Sequence, residues 1–196
     1  MKYFFNIILI SLLIIGCQTN SEKKPSVDTV LKKEKMEVPV AEPKEYNIDI
    51  SASIIGKRKL EIVINTNFPD STNLLLVIRR AHYLKGKSEK YSGELFSNDF
   101  AVEKNKIETI VEIDDSEWYS EHQRLVKLLP NDIMPISKIS DDVEICVTFS
   151  PARTQTKNVL DLVGEYGEFI KGEGIDKLGK LTTFKASKKI NIPFKK

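Results

Sequence analysis

The amino-acid sequence predicts a mainly β protein, a β-sandwich of about seven short strands with one or two short helices. Three observations lead to this prediction. Apolar and polar residues alternate with a period of two in several segments after residue 45, turn signals separate these segments, and helical periodicity occurs only briefly. An alternating strand buries one face and exposes the other, so a succession of such strands is typical of two sheets packed face to face.

The first three predicted strands include one turn, which lies between the second and the third. Apolar residues occupy every second position at Ile48, Ile50, Ala52 and Ile54, and again at Leu60, Ile62 and Ile64. The run Leu74–Ile78 is apolar throughout, which predicts a central strand covered on both faces. Before it, Pro69 and Asp70 suit the second and third positions of a type I turn over Phe68–Ser71.

Later segments add strands and two helices. Strands are predicted at Leu95–Val102, Ile107–Ile113, Val143–Phe149 and Leu181–Phe194. Between them, one helical face is formed by Trp118, His122, Leu125 and Leu129, and the helix ends at Pro130. Asp114 and Glu117 have the spacing of a capping box. A second short helix is predicted over Asn158–Val163, ended by Gly164. Both helices are expected to cover open ends of the sandwich.

The amino-terminal region predicts where the protein is located in the cell. Lys2 precedes the apolar run Tyr3–Ile15, which is too short to span a bilayer and fits the hydrophobic region of a secretory signal. The following residues, Ile14-Ile15-Gly16-Cys17, resemble a bacterial lipobox. This resemblance implies a signal peptide over residues 1–16, cleavage before Cys17 and a diacylglyceryl group on the Cys17 thiol. The expected location is the cell membrane or outer membrane, with the domain outside the cytoplasm. The alternatives are an ordinary signal peptide or an N-terminal membrane anchor.

Residues 17–45 are predicted to be the lipidated cysteine and a flexible tether. The segment is polar, is interrupted by Pro25, Pro39 and Pro43, and has too few apolar residues to offset its ordering entropy. An arm docked on the domain surface is the alternative. The sandwich domain is predicted over residues 46–196.

Charge and cysteine content exclude several classes of protein. Lys and Arg number 30 against 28 Asp and Glu, so no long-range field favours nucleic acid, and nucleic-acid binding is not expected. If Cys17 is lipidated, Cys146 is the one remaining cysteine, and the mature chain has no internal disulfide. Cys146 is interpreted as a small buried filler, with a reactive thiol as the alternative.

Three segments resemble a family of secreted bacterial immunoglobulin-like domains of unknown function. They are TNFPDSTNLLLVIRR, VEICVTFSP and VLDLVGEYGEFIKGEG. The resemblance covers most of residues 46–194 and implies an immunoglobulin-like sandwich without assigned catalytic residues. Two features depart from it: Ser71 replaces the usual turn glycine, and the helix around Trp118 is an insertion.

Catalytic, metal and cofactor motifs are not found. His82 and His122 are the only histidines, and no H-E-x-x-H or C-x-x-C pair accompanies them. Gly86-Lys87-Ser88 resembles the end of a P-loop, but Ala81 stands where its first glycine is needed. Adjacent carboxylates on an extended chain point to opposite faces, so neither Asp114-Asp115 nor Asp141-Asp142 is expected to form a site. The sequence therefore predicts no enzyme, no metal and no cofactor.

Two segments are the candidate contact surfaces. The first is a basic, tyrosine-containing segment between two predicted strands, with contact residues Arg79, Arg80, Tyr83, Lys85, Lys87 and Tyr91. The second is the glycine-rich segment Gly164–Gly174, with Tyr166 and Phe169 as contact residues. The alternatives are a solvated hairpin tip for the first and a turn-rich loop for the second.

Together these features predict a membrane-anchored envelope lipoprotein that acts as a non-enzymatic binding or adaptor module. Its partner is expected to be an envelope protein or an acidic polymer. Two alternatives stay open: an envelope hydrolase whose site is assembled from non-local residues, and a structural spacer. The sequence does not predict an oligomeric state.

Overall fold

The computed structural model describes residues 42–195. In chain order this range contains β1 (Lys44–Glu45), β2 (Ile48–Gly56), β3 (Lys59–Thr66), β4 (Asn73–Leu84), β5 (Lys90–Ala101), β6 (Lys106–Glu112), α1 (Ser116–Leu128), β7 (Ile136–Phe149), α2 (Lys157–Val163), β8 (Ile170–Lys171), β9 (Ile175–Leu178) and β10 (Leu181–Asn191). The predicted signal peptide, Cys17 and the tether up to residue 41 lie outside the described residues.

Seven long strands form two sheets, so the predicted sandwich is confirmed. One sheet has the order β2-β3-β6, and the other has the order β5-β4-β7-β10-β9, with antiparallel neighbours throughout. Without the short edge strand β9, the two sheets have three and four strands. Helix α1 lies between β6 and β7, the fifth and sixth of the seven long strands, and α2 lies between β7 and β10, the last two of them.

The core lies between the two sheets. Leu60, Ile62 and Ile64 of β3 are buried, and so are the apolar side chains at alternate positions of β4 and β7, as their period of two predicts. At one end of the core, Phe68 stacks on Tyr46 and Phe149 with ring centroids 4.4 and 4.8 Å away. Each fully buried side chain of this size contributes about 1.5–3 kcal/mol through apolar burial.

The predicted tether ends two residues early. Lys44 and Glu45 form β1, which pairs in parallel with β8. The Lys44 N–H donates to the Phe169 carbonyl, and the Tyr46 N–H donates to the Lys171 carbonyl, each at 2.8 Å. For these two residues, backbone pairing holds the chain on the domain.

Strand β4 continues well beyond the predicted Leu74–Ile78. It reaches Leu84, and β5 begins at Lys90, so only residues 85–89 connect them. The alternation of buried and half-buried positions persists through the basic residues because Arg80 and His82 occupy inward positions. The segment predicted to be a long basic loop is therefore two paired strands and a short tip.

The turn before β4 is shifted by one residue from the prediction. The Thr72 N–H donates to the Pro69 carbonyl at 3.1 Å, so the turn spans Pro69–Thr72 rather than Phe68–Ser71. Ser71 has a φ of 68°, in the left-handed region that favours glycine. This is the position at which the resemblance implied a glycine.

Helix α1 begins differently from the predicted capping box. Its N-cap is Asp115, and the Asp115 side chain does not cap the helix. The preceding Asp114 instead accepts the Ser116 N–H at 2.9 Å. Helix α2 begins as expected for a capped helix, with the Thr156 hydroxyl accepting the Val159 N–H, and it ends at Gly164.

Candidate functional site

Arg80, predicted to be a contact residue, is instead fully buried. Its Nε donates to Asp115 Oδ1 at 2.7 Å, and its Nη2 donates to Asp115 Oδ2 at 3.1 Å. Its Nη1 donates to the carbonyls of Ser140 and Ile192 at 2.8 and 2.7 Å. Because its donors are committed inside the protein, Arg80 has a structural role, and its place on the contact surface is corrected.

The same carboxylate receives two further donors. Arg58 pairs with Asp115 and also donates to the carbonyls of Ile113 and Pro193. The Trp118 indole N–H donates to Asp115 Oδ1 at 3.3 Å. We call Arg58, Arg80 and Asp115 the buried arginine network; it joins the β2–β3 turn, the centre of the large sheet, the start of α1 and the carboxyl-terminal segment.

Next to this network, two histidines belong to an aromatic cluster. The buried His82 ring stacks on Trp118 and Tyr91 with centroids 5.2 and 6.0 Å away, and the edge of His122 lies 5.9 Å away. Burial lowers the pKa of His82, and the charge of His122 lowers it further. Among the described residues no carboxylate bonds to either ring, and the His122 Nε2 lies 3.0 Å from the Met134 carbonyl.

The outward side chains of the large sheet form a pocket of about 340 Å³, which we call the basic pocket. It contains four cations, two carboxylates, three hydroxyl groups and two apolar residues. These are Arg79, Lys90, Lys138 and Lys189; Asp142 and Glu144; Tyr83, Ser92 and Ser140; and Ala81 and Val143. The cations exceed the carboxylates by two, so the pocket carries a positive local charge.

Strand register explains the shape of the basic pocket. Arg79 and Lys189 both lie opposite Glu144, on the two sides of β7. Further along β4, Tyr83 lies opposite Lys90 on β5 and Lys138 on β7. Between these rows Ala81 faces Ser92, and their small side chains leave a depression in the sheet face.

Within the pocket only one cation is committed to an ion pair. Arg79 donates to Glu144 at 2.8 Å, and this bond holds the pKa of Arg79 above its usual value. Lys90, Lys138 and Lys189 form no ion pair within the described part of the chain; the Lys138 ammonium lies 5.9 Å from the Tyr83 ring. Three lysine ammonium groups thus remain available to an anionic ligand.

Cys146 is buried, as the filler interpretation requires. It follows Glu144 on the same face of β7. Burial, reinforced by the Glu144 charge, raises the pKa of the Cys146 thiol, although Arg79, Lys90 and Lys185 oppose this shift. The thiol therefore stays protonated near neutral pH, a state of low nucleophilicity.

The other predicted contact residues are dispersed. Lys85 and Lys87 are exposed at the β4–β5 tip, whereas Tyr91 is half-buried against His82 and so faces the aromatic cluster. Tyr166 is 47% exposed, and Phe169 is half-buried. Both lie near the start of β10, where the Thr182 N–H donates to the Tyr166 carbonyl, at the opposite end of the sheet from the tip. Of the eight predicted contact residues, Arg79 and Tyr83 line the basic pocket.

Most of the pocket was not predicted from the sequence. Lys90, Glu144 and Lys189 belong to segments that were recognised, but Lys138 comes from the start of β7, which the apolar pattern does not mark. Strand register alone makes Lys138 a neighbour of Tyr83 and Lys189 a neighbour of Glu144. The sequence did contain a signal for part of the pocket, namely the alternation of side chains along β4. Since Leu74, Leu76 and Ile78 point inward, Arg79 and Tyr83 had to point outward.

A second concavity lies near the carboxyl-terminal segment. This apolar groove, of about 570 Å³, is lined by Ile54, Ile192, Pro193 and Phe194, with Lys57, Arg58, Glu112 and Lys195 around them. An apolar area bordered by basic residues is typical of a binding surface. It lies apart from the residues of the basic pocket.

No group of three or more His, Cys, Asp or Glu side chains in residues 42–195 is arranged to hold a metal ion. In the same range, neither helix has the length and apolar character needed to cross a bilayer.

Comparisons with known proteins identify no relative. No protein-family model matches the sequence, and no curated protein or solved structure matches it significantly. The motif-level resemblance to secreted bacterial immunoglobulin-like domains thus stays a prediction.

Proposed function

We propose that this chain is a lipid-anchored envelope protein whose sandwich domain binds an acidic ligand in the basic pocket, without catalysing a reaction. The observation that carries the proposal is the surplus of cations around a depression in the sheet face, with three lysines outside any described ion pair. Clustered cations in a concave site raise the local concentration of an anionic partner.

The location in this proposal rests on the amino-terminal sequence. A short apolar run followed by Ile14-Ile15-Gly16-Cys17 has the form of a lipoprotein signal. Two acyl chains on Cys17 hold a protein stably at a membrane where one chain holds it marginally. Residues 18–41 are then long enough to let the domain meet ligands away from the bilayer.

The anchor is tested by mass spectrometry of the protein isolated from its own membranes. The expected amino-terminal peptide begins at Cys17 and carries a diacylglyceryl group. The control is Cys17→Ser, which should keep its signal peptide or be released from the membrane fraction. An unmodified Cys17 in the mature protein would refute the anchor and leave the binding site untouched.

The binding site is tested by proximity cross-linking in the same cells with a matched pair of variants. Lys90→Ser/Lys189→Ser removes two cations from the pocket, whereas Lys177→Ser/Lys180→Ser removes two exposed cations near β9, outside the pocket. Loss of an anionic partner in the first variant and its retention in the second would support the proposal. Equal capture by both variants would contradict it.

Salt dependence gives a second reading of the same experiment. Capture through exposed lysines should weaken as ionic strength rises, because the Debye length falls from about 10 Å at 0.1 M to about 3 Å at 1 M salt. Capture that is insensitive to salt and lost on mutation of Ile54 would instead assign binding to the apolar groove.

The two alternatives make different demands. A hydrolase needs a histidine or another base beside a nucleophile in a cavity, and His82 and His122 instead pack against aromatic rings. A spacer needs no concave site, so the basic pocket favours binding over a purely structural role. We therefore retain the binding module as the proposed function.

A further inference from the structure

The basic pocket contains features that a simple anion site does not need. Asp142 and Glu144 lie among its cations, and Arg79 is occupied by Glu144. A ligand with closely spaced phosphate charges would be repelled by both carboxylates. A ligand with one charge per residue would meet the lysines while keeping its neutral parts near the carboxylates.

The same carboxylates can accept hydrogen bonds from ligand hydroxyl groups. Asp142 Oδ1 accepts from Asn191 Nδ2 at 2.9 Å, and its Oδ2 has no hydrogen-bond partner among the described residues. The hydroxyl groups of Tyr83, Ser92 and Ser140 can each donate and accept. Alternating donors, acceptors and cations suit a polyhydroxylated acid better than a bare anion.

The dimensions of the depression also suit a ring. Residues on one face of a strand repeat every ~6.6 Å, so the Arg79 and Tyr83 rows stand about 13 Å apart on either side of Ala81. The lysines on both sides, Lys90 and Lys138 in one row and Lys189 in the other, can then reach a carboxylate on a ring held between them.

We propose that the ligand of the basic pocket is a sugar acid within a carboxylated polysaccharide, bound through its carboxylate by the lysines and through its hydroxyl groups by Asp142 and the neighbouring hydroxyl side chains. This inference rests on the proposed function of the pocket. It separates uronic-acid polymers from phosphate polymers as the acidic ligand.

Calorimetric titration of the chain that lacks residues 1–17 tests this inference. The probes are a short oligogalacturonate, the same oligomer fully methyl-esterified, and inorganic polyphosphate. Binding of the free acid, with at least tenfold weaker binding of the ester and of polyphosphate, is the expected result. Equal or tighter binding of polyphosphate would overturn the sugar-acid assignment and leave the acidic-ligand function standing.

The variant Asp142→Ala gives opposite results for the two ligand classes. A sugar acid loses a charged hydrogen-bond acceptor, so its binding should weaken by about tenfold. For a phosphate polymer the variant removes a repulsive charge from the site, so its binding should tighten a few fold. Asp176→Ala removes the same charge from β9, outside the pocket, and should leave both affinities unchanged.

A last comparison separates failure of the inference from failure of the proposed function. If neither acid binds, while cross-linking in cells still depends on Lys90 and Lys189, the sugar-acid assignment is wrong and the pocket binds another anion. If neither acid binds and cross-linking is also independent of these lysines, both proposals are wrong. Circular dichroism of each variant shows whether the fold is retained.

Discussion

Arg79 and Arg80 are adjacent in the sequence but have different physical environments. The Arg79 side chain is 34% exposed and pairs with Glu144 on the sheet face. The Arg80 side chain has no exposed surface and shares Asp115 with Arg58. Since the desolvation penalty of a charge rises steeply with burial, loss of the partner has a small effect at the first residue and a large one at the second.

Asp115→Ala should therefore destabilise the domain strongly. It leaves the Arg80 guanidinium buried without a counter-charge, and removing one partner of a buried ion pair typically costs about 3–5 kcal/mol. Urea denaturation followed by circular dichroism gives the free energy of unfolding. Arg153→Ala is the control: it breaks the exposed pair with Asp99 and should cost less than about 1 kcal/mol. Similar losses for the two variants would contradict the assigned role of Asp115.

Ser71→Gly should stabilise the domain. The left-handed backbone at φ 68° costs a non-glycine residue about 1–2 kcal/mol, and glycine removes this cost. The greater freedom of glycine in the unfolded chain offsets part of the resulting stabilisation. We expect a net increase of about 0.5–1 kcal/mol in the free energy of unfolding. Ser97→Gly, at an exposed position inside β5, should have the opposite sign. A destabilised Ser71→Gly variant would contradict the turn geometry.

These residues also show what one sequence can predict. The inward phase of Leu74, Leu76 and Ile78 extends to Arg80, so alternation alone placed Arg80 inside. Its charge argued for the surface, and the prediction followed the charge. The deciding fact is Asp115, a partner 35 residues away whose proximity follows from the fold. Ion pairs between residues so far apart in the sequence cannot be predicted from the residues next to either partner.

At the scale of elements, one close approach helps to attach α1 to the large sheet. The Trp118 indole lies directly over Gly93 of β5, where a β-carbon would overlap the ring. No residue of α1 is fully buried, so this contact and the His82 stack carry much of the attachment. Gly93 is required here for space rather than for its backbone conformation.

Gly93→Ala should loosen α1 while leaving the sandwich intact. The added methyl group forces the indole away, and overpacking of this kind typically costs about 1–3 kcal/mol. Trp118 is the sole tryptophan, so its fluorescence reports the change directly, with a shift to longer wavelength as the indole becomes exposed. Gly56→Ala, at an open position, is the control. An unchanged emission maximum would show that α1 tolerates the methyl group.

The lengths of the strands were harder to predict than their existence. All seven long strands were predicted, β4 from its continuous apolar run, but β4, β5 and β7 extend into polar sequence where the apolar pattern is masked by Lys, Ser and Asp. Those extensions contribute Arg79, Tyr83, Lys90 and Lys138 to the basic pocket, whereas Glu144 and Lys189 come from the predicted parts of β7 and β10. The part of each strand that builds the core was predictable, whereas the part that builds the site depends on pairing across strands.

For the whole molecule, the aromatic cluster around His82 links stability to pH. Burial and the charge of His122 lower the pKa of His82, so the folded state prefers the neutral ring. This preference contributes stability that is complete above the unfolded-state pKa, about 6.5, and is lost as pH falls toward the lowered folded-state value.

The free energy of unfolding should accordingly decrease between pH 7.5 and 5.5, with a slope of at most about 1.4 kcal/mol per pH unit for one proton. His82→Phe keeps an aromatic ring between Tyr91 and Trp118 and removes the titration. The free energy of unfolding of the wild type minus that of the variant should therefore decrease as pH falls. Parallel pH profiles for the two proteins would exclude His82 as the source.

The buried arginine network has a consequence for the order of synthesis. Its acceptors include the carbonyls of Ile192 and Pro193, contributed by the last described segment of the chain. A ribosome makes Arg58, Arg80 and Asp115 long before these carbonyls exist. Until residues 192 and 193 have left the exit tunnel, Arg58 and Arg80 each lack one acceptor, so we expect the domain to reach its full stability only when this segment has been translated.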